Sequence, residues 1–158
     1  MTDIGTGDEF LEFEVATRRY GVRATDVAEI LRAVTIVPLP KAPRIIEGVI
    51  TVRGDVVPVL DLRARFRLPS KQASVADQLV IAWAGDRRIA FRIDRAIDLV
   101  RVDPSDIEDA TALVAGVEYV AGLAKLSHGL MLIHDLRTFL SQAEAASLSA
   151  LEHETATP

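Results

Sequence analysis

The chain has 158 residues, a net charge of −5 and a pI near 5.2, and nearly half of its residues are apolar. A single chain of that length buries roughly 70% of its unfolded surface, so its core needs no metal or disulfide staple. Basic residues are scattered except at Arg18-Arg19 and Arg87-Arg88, which argues against nucleic-acid binding, and the absence of cysteine excludes a disulfide framework, a thiolate metal site and a cysteine nucleophile.

Residues 1–8 are polar and read as a mobile tail, without the basic and apolar regions of a secretory signal. Phe10, Leu11, Phe13 and Val15 interleave with Glu12 and Glu14 as in a strand, and 18–22 reads as its partner. The period then changes. Val27, Ile30, Leu31 and Val34 fall at i, i+3, i+4 and i+7, which predicts a short helix opened by Asp26 and Glu29 as a capping box. Three prolines in 37–43 exclude helix interior there, and 43–48 reads as one helical turn ended by Gly48. Strands follow over 48–53 and 56–60, joined through Gly54-Asp55 in a type II′ turn, with Pro58 expected at an edge or a bulge because it lacks a ladder donor.

The same device recurs. Strands 78–84 and 87–93 meet through Gly85-Asp86, and strands 119–126 and 130–134 through Ser127-His128-Gly129. Between them 96–102 reads as another strand, and Asp103-Pro104-Ser105 opens a short turn. Trp83 alternates with Ile81 and is expected to pack inward. Residues 135–151 carry Leu136, Phe139, Leu140, Ala143 and Leu148, which predicts a C-terminal amphipathic helix, and 152–158 reads as a second flexible tail. The whole is a mainly β protein. Strands apolar on both faces suit small closed or nearly closed barrels, and the polar loop 69–78 is expected to divide two subdomains.

Reactive chemistry finds little support. His128 falls in a turn, His134 at a strand end and His153 in the tail, and no His-x-x-x-His, Walker, Gly-x-Gly-x-x-Gly or Gly-x-Ser-x-Gly pattern occurs. No apolar run approaches the roughly 18 residues of a membrane span. The expectation is a cytoplasmic binding protein with no enzymatic activity, metal or cofactor.

The blocks Val27-Ala-Glu29-Ile30, Pro38-Leu-Pro40 and Gly48-Val-Ile-x-Val-Arg53-Gly54-x-Val-x-Pro58-Val-x-Asp61-Leu62 together resemble the CheW family of chemotaxis coupling proteins. The second half agrees through Ile93-Asp94, Tyr119-x-x-Gly122 and Leu132-Ile133-x-Asp135-Leu136, so the resemblance covers about residues 9–142. His134 departs from it, at a position more often aliphatic. The resemblance implies a CheW-like fold of two five-stranded β-barrel subdomains. It also implies a non-catalytic adaptor that joins the cytoplasmic tip of methyl-accepting chemoreceptors to the regulatory domain of the histidine kinase CheA. A CheW-like subunit of a pathway for pili, surface motility or development is the alternative, and a small ligand-binding barrel a more distant one. Carried onto this sequence, the partner-binding positions are Val27, Glu29, Gly48, Arg53 and Gly54. A solvated hairpin tip accounts for Gly54 and Asp55 without any partner, whereas Arg53, expected at a strand end on the face of Val49 and Thr51, is assigned to binding.

Overall fold

Alternation of apolar and charged residues makes β1 (Asp8–Val15), which turns through Ala16-Thr17 into β2 (Arg18–Arg23). The computed structural model describes residues 8–109 and 120–156. Nine further strands follow: β3 (Val27–Arg32), β4 (Ile46–Val52), β5 (Asp55–Leu60), β6 (Gln78–Ala84), β7 (Arg87–Ile93), β8 (Arg95–Val102), β9 (Ile107–Glu108), β10 (Val120–Leu126) and β11 (Gly129–His134). They pair in two sheets, one ordered β8-β1-β2-β11-β10-β9 and the other β3-β6-β7-β5-β4.

The two sheets repeat one path. In each, a hairpin (β1–β2 or β6–β7) has an antiparallel strand on one side and a parallel strand on the other, and that parallel strand belongs to a second hairpin. Both parallel strands are followed directly by Asp-Leu. Asp61 accepts from the Ala64 N–H at 3.1 Å and starts α1 (Leu62–Arg65), while Asp135 accepts from the Arg137 N–H at 3.0 Å and starts a 3-10 turn. Leu62 and Leu136 are buried immediately after their caps.

Three apolar clusters explain why the strands lack clean alternation. One lies between the sheets and holds Leu11, Phe13, Tyr20, Val80, Phe91 and Phe139. The others lie on the far side of each sheet: Ile50, Val52, Val57, Val59, Leu79 and Ile81 in one, Phe10, Val102, Met131 and Ile133 in the other. Each sheet therefore curls around its own small core while its outer face packs on its partner. His134, the departure from the aliphatic pattern, is buried among aromatic rings and stacks on Phe66 at 4.4 Å.

Several expectations are corrected. The mainly β class holds, but the sheets have six and five described strands in open order rather than five in each of two closed or nearly closed barrels. The five-stranded one comes near closure, since Val37 bridges Val49 on the free edge of β4. The chain does not divide between the sheets at 69–78, which joins β5 to β6 within one sheet. Residues 27–32 form a strand and not a helix, and the Asp26/Glu29 capping box is absent because 24–26 is a 3-10 turn without a side-chain cap. The short helix of the first half is instead α1. Pro58 lies in a strand flanked on both sides, but β5 meets β7 only at Val59 and Leu60. Its partner Val49 bonds Val37 instead of Pro58, so the missing donor costs β4 nothing. Trp83 is 41% exposed.

At the C-terminus, the helix expected over 135–151 is a 3-10 turn followed by α2 (Gln142–Ala156). A capping box separates them: Ser141 Oγ accepts from the Glu144 N–H at 3.1 Å, and the Glu144 carboxylate accepts from the Ser141 N–H at 2.8 Å. The predicted tail residues 152–156 continue the helix, while Tyr119, Ala110 to Glu118, and 157–158 lie outside the described residues.

Ion pairs strap the 61–77 segment to the sheet. Arg92 bonds Glu47 at 2.6 Å and Asp77 at 3.0 Å, and Asp77 also accepts from Lys71 and the Ser74 N–H. Asp94 accepts from Arg63 at 2.6 Å and from the Ala16 N–H at 2.9 Å. Burial pushes Asp77 and Asp94 upward, but these donors outweigh it and hold both below the ordinary value of 3.8.

Candidate functional site: a charged hairpin clasp

The turn between β4 and β5 consists of Arg53 and Gly54, with Val52 opposite Asp55. Both loop residues have positive φ, 49° at Arg53 and 86° at Gly54, the pattern of a type I′ turn and not the expected II′ turn at Gly54-Asp55. Asp55 is the first residue of β5, and Arg53 is in the loop rather than on a strand face. An L-residue in the left-handed region is costly by about 1–2 kcal/mol. Arginine is not the residue a I′ turn favours at its first position, where Asn, Asp or Gly usually stands.

That backbone places the guanidinium against Glu29. Arg53 Nη1 donates to Glu29 Oε1 at 2.9 Å and Nη2 to Oε2 at 2.6 Å, a bidentate fork. Because Glu29 is on β3 and Arg53 ends the β4 arm, the pair spans the two outer strands of the five-stranded sheet. It clasps the mouth of the curl. A register shift between Val27 and Glu29 on β3 accompanies this, and such bulges re-aim the side chain that follows. The Arg53 side chain is 74% exposed and that of Glu29 22%. Hydrogen bonding to Glu29, and then its charge, raises the Arg53 pKa above its ordinary value, so the guanidinium stays charged throughout the range in which proteins fold.

The other three positions are not in the clasp. Val27 is half-buried and packs on the cluster between the sheets. Gly48 is buried in β4, where a Cβ would lie 2.3 Å from the Val37 carbonyl oxygen, so its bareness lets 36–37 run against β4. A Cβ on Gly54 would meet nothing within 4 Å, and only its φ demands glycine. The structure thus brings Glu29, Arg53 and Gly54 together, with Gly48 and Val27 as supports.

A neighbouring contact escaped the sequence. Asp55 turns the other way, to Arg88 at 3.6 Å, and the Arg88 guanidinium lies 5.4 Å from the Trp83 ring centroid. Trp83 and Arg88 are direct cross-strand partners. The two-residue loop Gly85-Asp86 fixes that pairing and was the available signal.

Among the described residues no group of three or more His, Asp or Glu could share a metal ion, and no helix is long and apolar enough to cross a membrane. The CheW-like domain model matches residues 9–144, and the chain belongs to that family. It is 24% identical over 149 residues to the chemotaxis protein CheW of Treponema pallidum, covering 90% of this chain and 88% of that one. It is 32% identical over 108 residues to that of Bacillus subtilis, with 68% and 69% covered. The crystal structure of the scaffolding protein TtCheW from Thermoanaerobacter tengcongensis superposes with a TM-score of 0.80 at 25% identity, covering 87% of this chain and 95% of that one.

Proposed function

We propose that the protein is a non-catalytic cytoplasmic adaptor coupling chemoreceptors to the histidine kinase CheA in a chemosensory array. Family membership supplies the role, and the observation that carries its location is the Glu29–Arg53 clasp. A costly left-handed arginine stands at an exposed tip where a solvating residue would suffice. Glu29 occupies both terminal guanidinium nitrogens on one side, leaving the Nε and outward N–H groups for a partner. In this reading Arg53 and Glu29 touch the partner, Gly54 sets the turn, and Gly48 and Val27 hold β4 and β3 in position. The receptor tip and the kinase regulatory domain are the two partners, and neither nucleic acid nor the bilayer is bound directly. Co-sedimentation of the chain with a receptor fragment and CheA tests the proposal. Recovery of a ternary pellet supports it, and a protein that joins neither partner overturns it.

A further inference from the structure

The contacts at the mouth of the five-stranded curl join into a ring. Arg53 binds Glu29 on β3, and Glu29 stands opposite Ile81 on β6. Trp83, two residues further along β6, faces the same way, and its cross-strand partner on β7 is Arg88. Arg88 pairs with Asp55 at 3.6 Å, and Asp55 opens β5 two residues after Arg53. Strands β3, β6, β7 and β5 and the hairpin tip therefore each supply one side chain to the ring. Beneath it lie the buried Val52, Val57 and Ile81 of the small core.

Trp83 is the odd member. Every other described Phe or Tyr ring is buried or half-buried, whereas the indole of Trp83 is left exposed. It is also held in place. The Arg88 guanidinium lies 5.4 Å from the ring centroid, within cation–π range, and Asp55 holds that guanidinium in turn. An aromatic side chain fixed by the fold and left in water is a preorganised contact, because little ordering remains to oppose binding.

We propose that Trp83 anchors the partner of the clasp, receiving an aliphatic side chain of that protein on the open part of its indole while the two ion pairs form a polar rim. This deepens the adaptor reading and rests on it, since the occupant is the same protein that Arg53 touches. The local charges select an aliphatic group. Two guanidiniums and two carboxylates already balance the ring, so a further charge set down on the indole would be buried without compensation. A carboxylate would also meet the negative face of the indole, and the cation that the indole favours is present as Arg88. An apolar group meets neither obstacle. An aromatic residue inside a rim that excludes water is the usual form of an interface hot spot.

The chain has a single tryptophan, so fluorotryptophan gives the full-length protein one fluorine resonance. A receptor fragment and CheA, added in separate titrations, should move or broaden that signal with one of the two, the one whose co-sedimentation Arg53→Ala weakens. Trp83→Ala should weaken the same pairwise co-sedimentation about tenfold, and Trp83→Phe should retain most of it. High salt should shrink the Arg53→Ala loss and leave the Trp83→Ala loss undiminished, because an apolar contact is not screened. The inference fails if the resonance moves with neither partner or only with the other one, or if Trp83→Ala assembles as wild type. Should that happen while Arg53→Ala is impaired, the adaptor reading stands and the anchor falls; a wild-type chain that joins neither partner overturns both. The fluorine titration needs no variant, so it decides the matter even if a substitution unfolds the chain.

Discussion

The β4–β5 and β10–β11 hairpins hold equivalent places in the two sheets, and each is tied at its tip to a glutamate on another strand. The ties differ in which group is buried. Glu29, bound by Arg53, is 22% exposed, but Glu12, bound by His128 Nε2 at 2.8 Å and Arg19 Nη1 at 3.2 Å, is only 1% exposed. Both Glu12 donors share Oε2, and Oε1 has no partner among the described residues. A buried carboxylate is costly to strip of its partners, whereas an exposed pair adds little to stability. The Glu12 tie is therefore structural, and the Glu29–Arg53 tie is free to serve recognition.

The sharpest way to break this comparison is to strip Glu12. Arg19→Met combined with His128→Leu should cost about 3–5 kcal/mol in urea denaturation, and adding Glu12→Leu should recover most of it. A double variant as stable as wild type would put both hairpins in the same class.

Glycines sharpen it next. Gly48→Ala forces a Cβ against the Val37 carbonyl and should cost about 1–3 kcal/mol, with faster amide exchange at Val37 and Val49 as the bridge opens. Gly54→Ala meets no atom, and its expected cost of about 1 kcal/mol comes from the positive φ alone. Equal exchange at Val37 in the two variants would count against the close-approach role of Gly48.

Acid separates the clasp from the strap. Asp94 is held below its ordinary value in the folded protein, so it contributes stability above about pH 4 that is lost as pH falls through the lowered folded value. Asp94→Asn should flatten the acid limb of a stability-versus-pH curve, by about 1 kcal/mol or less because the group is partly exposed. Arg53→Ala should leave that limb unchanged, and a flattening there would assign the clasp a larger share of the folding energy.

Much of this architecture was legible because tight turns and apolar runs report strands directly. The exceptions are physical. In β3 the half-buried positions are Val27, Glu29 and Leu31, while Ala28, Ile30 and Arg32 face out. A charged residue on the inner face and an isoleucine on the outer one hid the alternation and left a helical spacing in view. Pairing with β6 and the Arg53 fork, both distant in sequence, decide the outcome. The break at Ser141 was readable from Ser-x-x-Glu but was overrun by the apolar pattern around it. The clasp was half legible: the resemblance pointed to Glu29 and Arg53 separately, and only the curl of the sheet brings residues 24 positions apart into one fork.

The smallest expected change in stability belongs to Arg53, and it is the one that matters most for function. Arg53→Ala removes an exposed pair and should leave the folding stability close to that of wild type. It should nevertheless weaken co-sedimentation with the receptor and kinase. Arg53→Glu should weaken it more than tenfold, because it faces Glu29 with a like charge and repels any acidic partner group. Glu29→Gln separates two roles for the clasp. If Glu29 only aims Arg53, the loss should be modest and should not add to that of Arg53→Ala; if Glu29 also touches a partner, the losses should add. At physiological salt the Debye length is about 8 Å, so an exposed contact should fade as salt rises, and the wild-type advantage over Arg53→Ala should shrink with it. A folded Arg53→Glu protein that assembles like wild type would return the arginine to the turn, leaving its left-handed backbone without a recognition role to explain it.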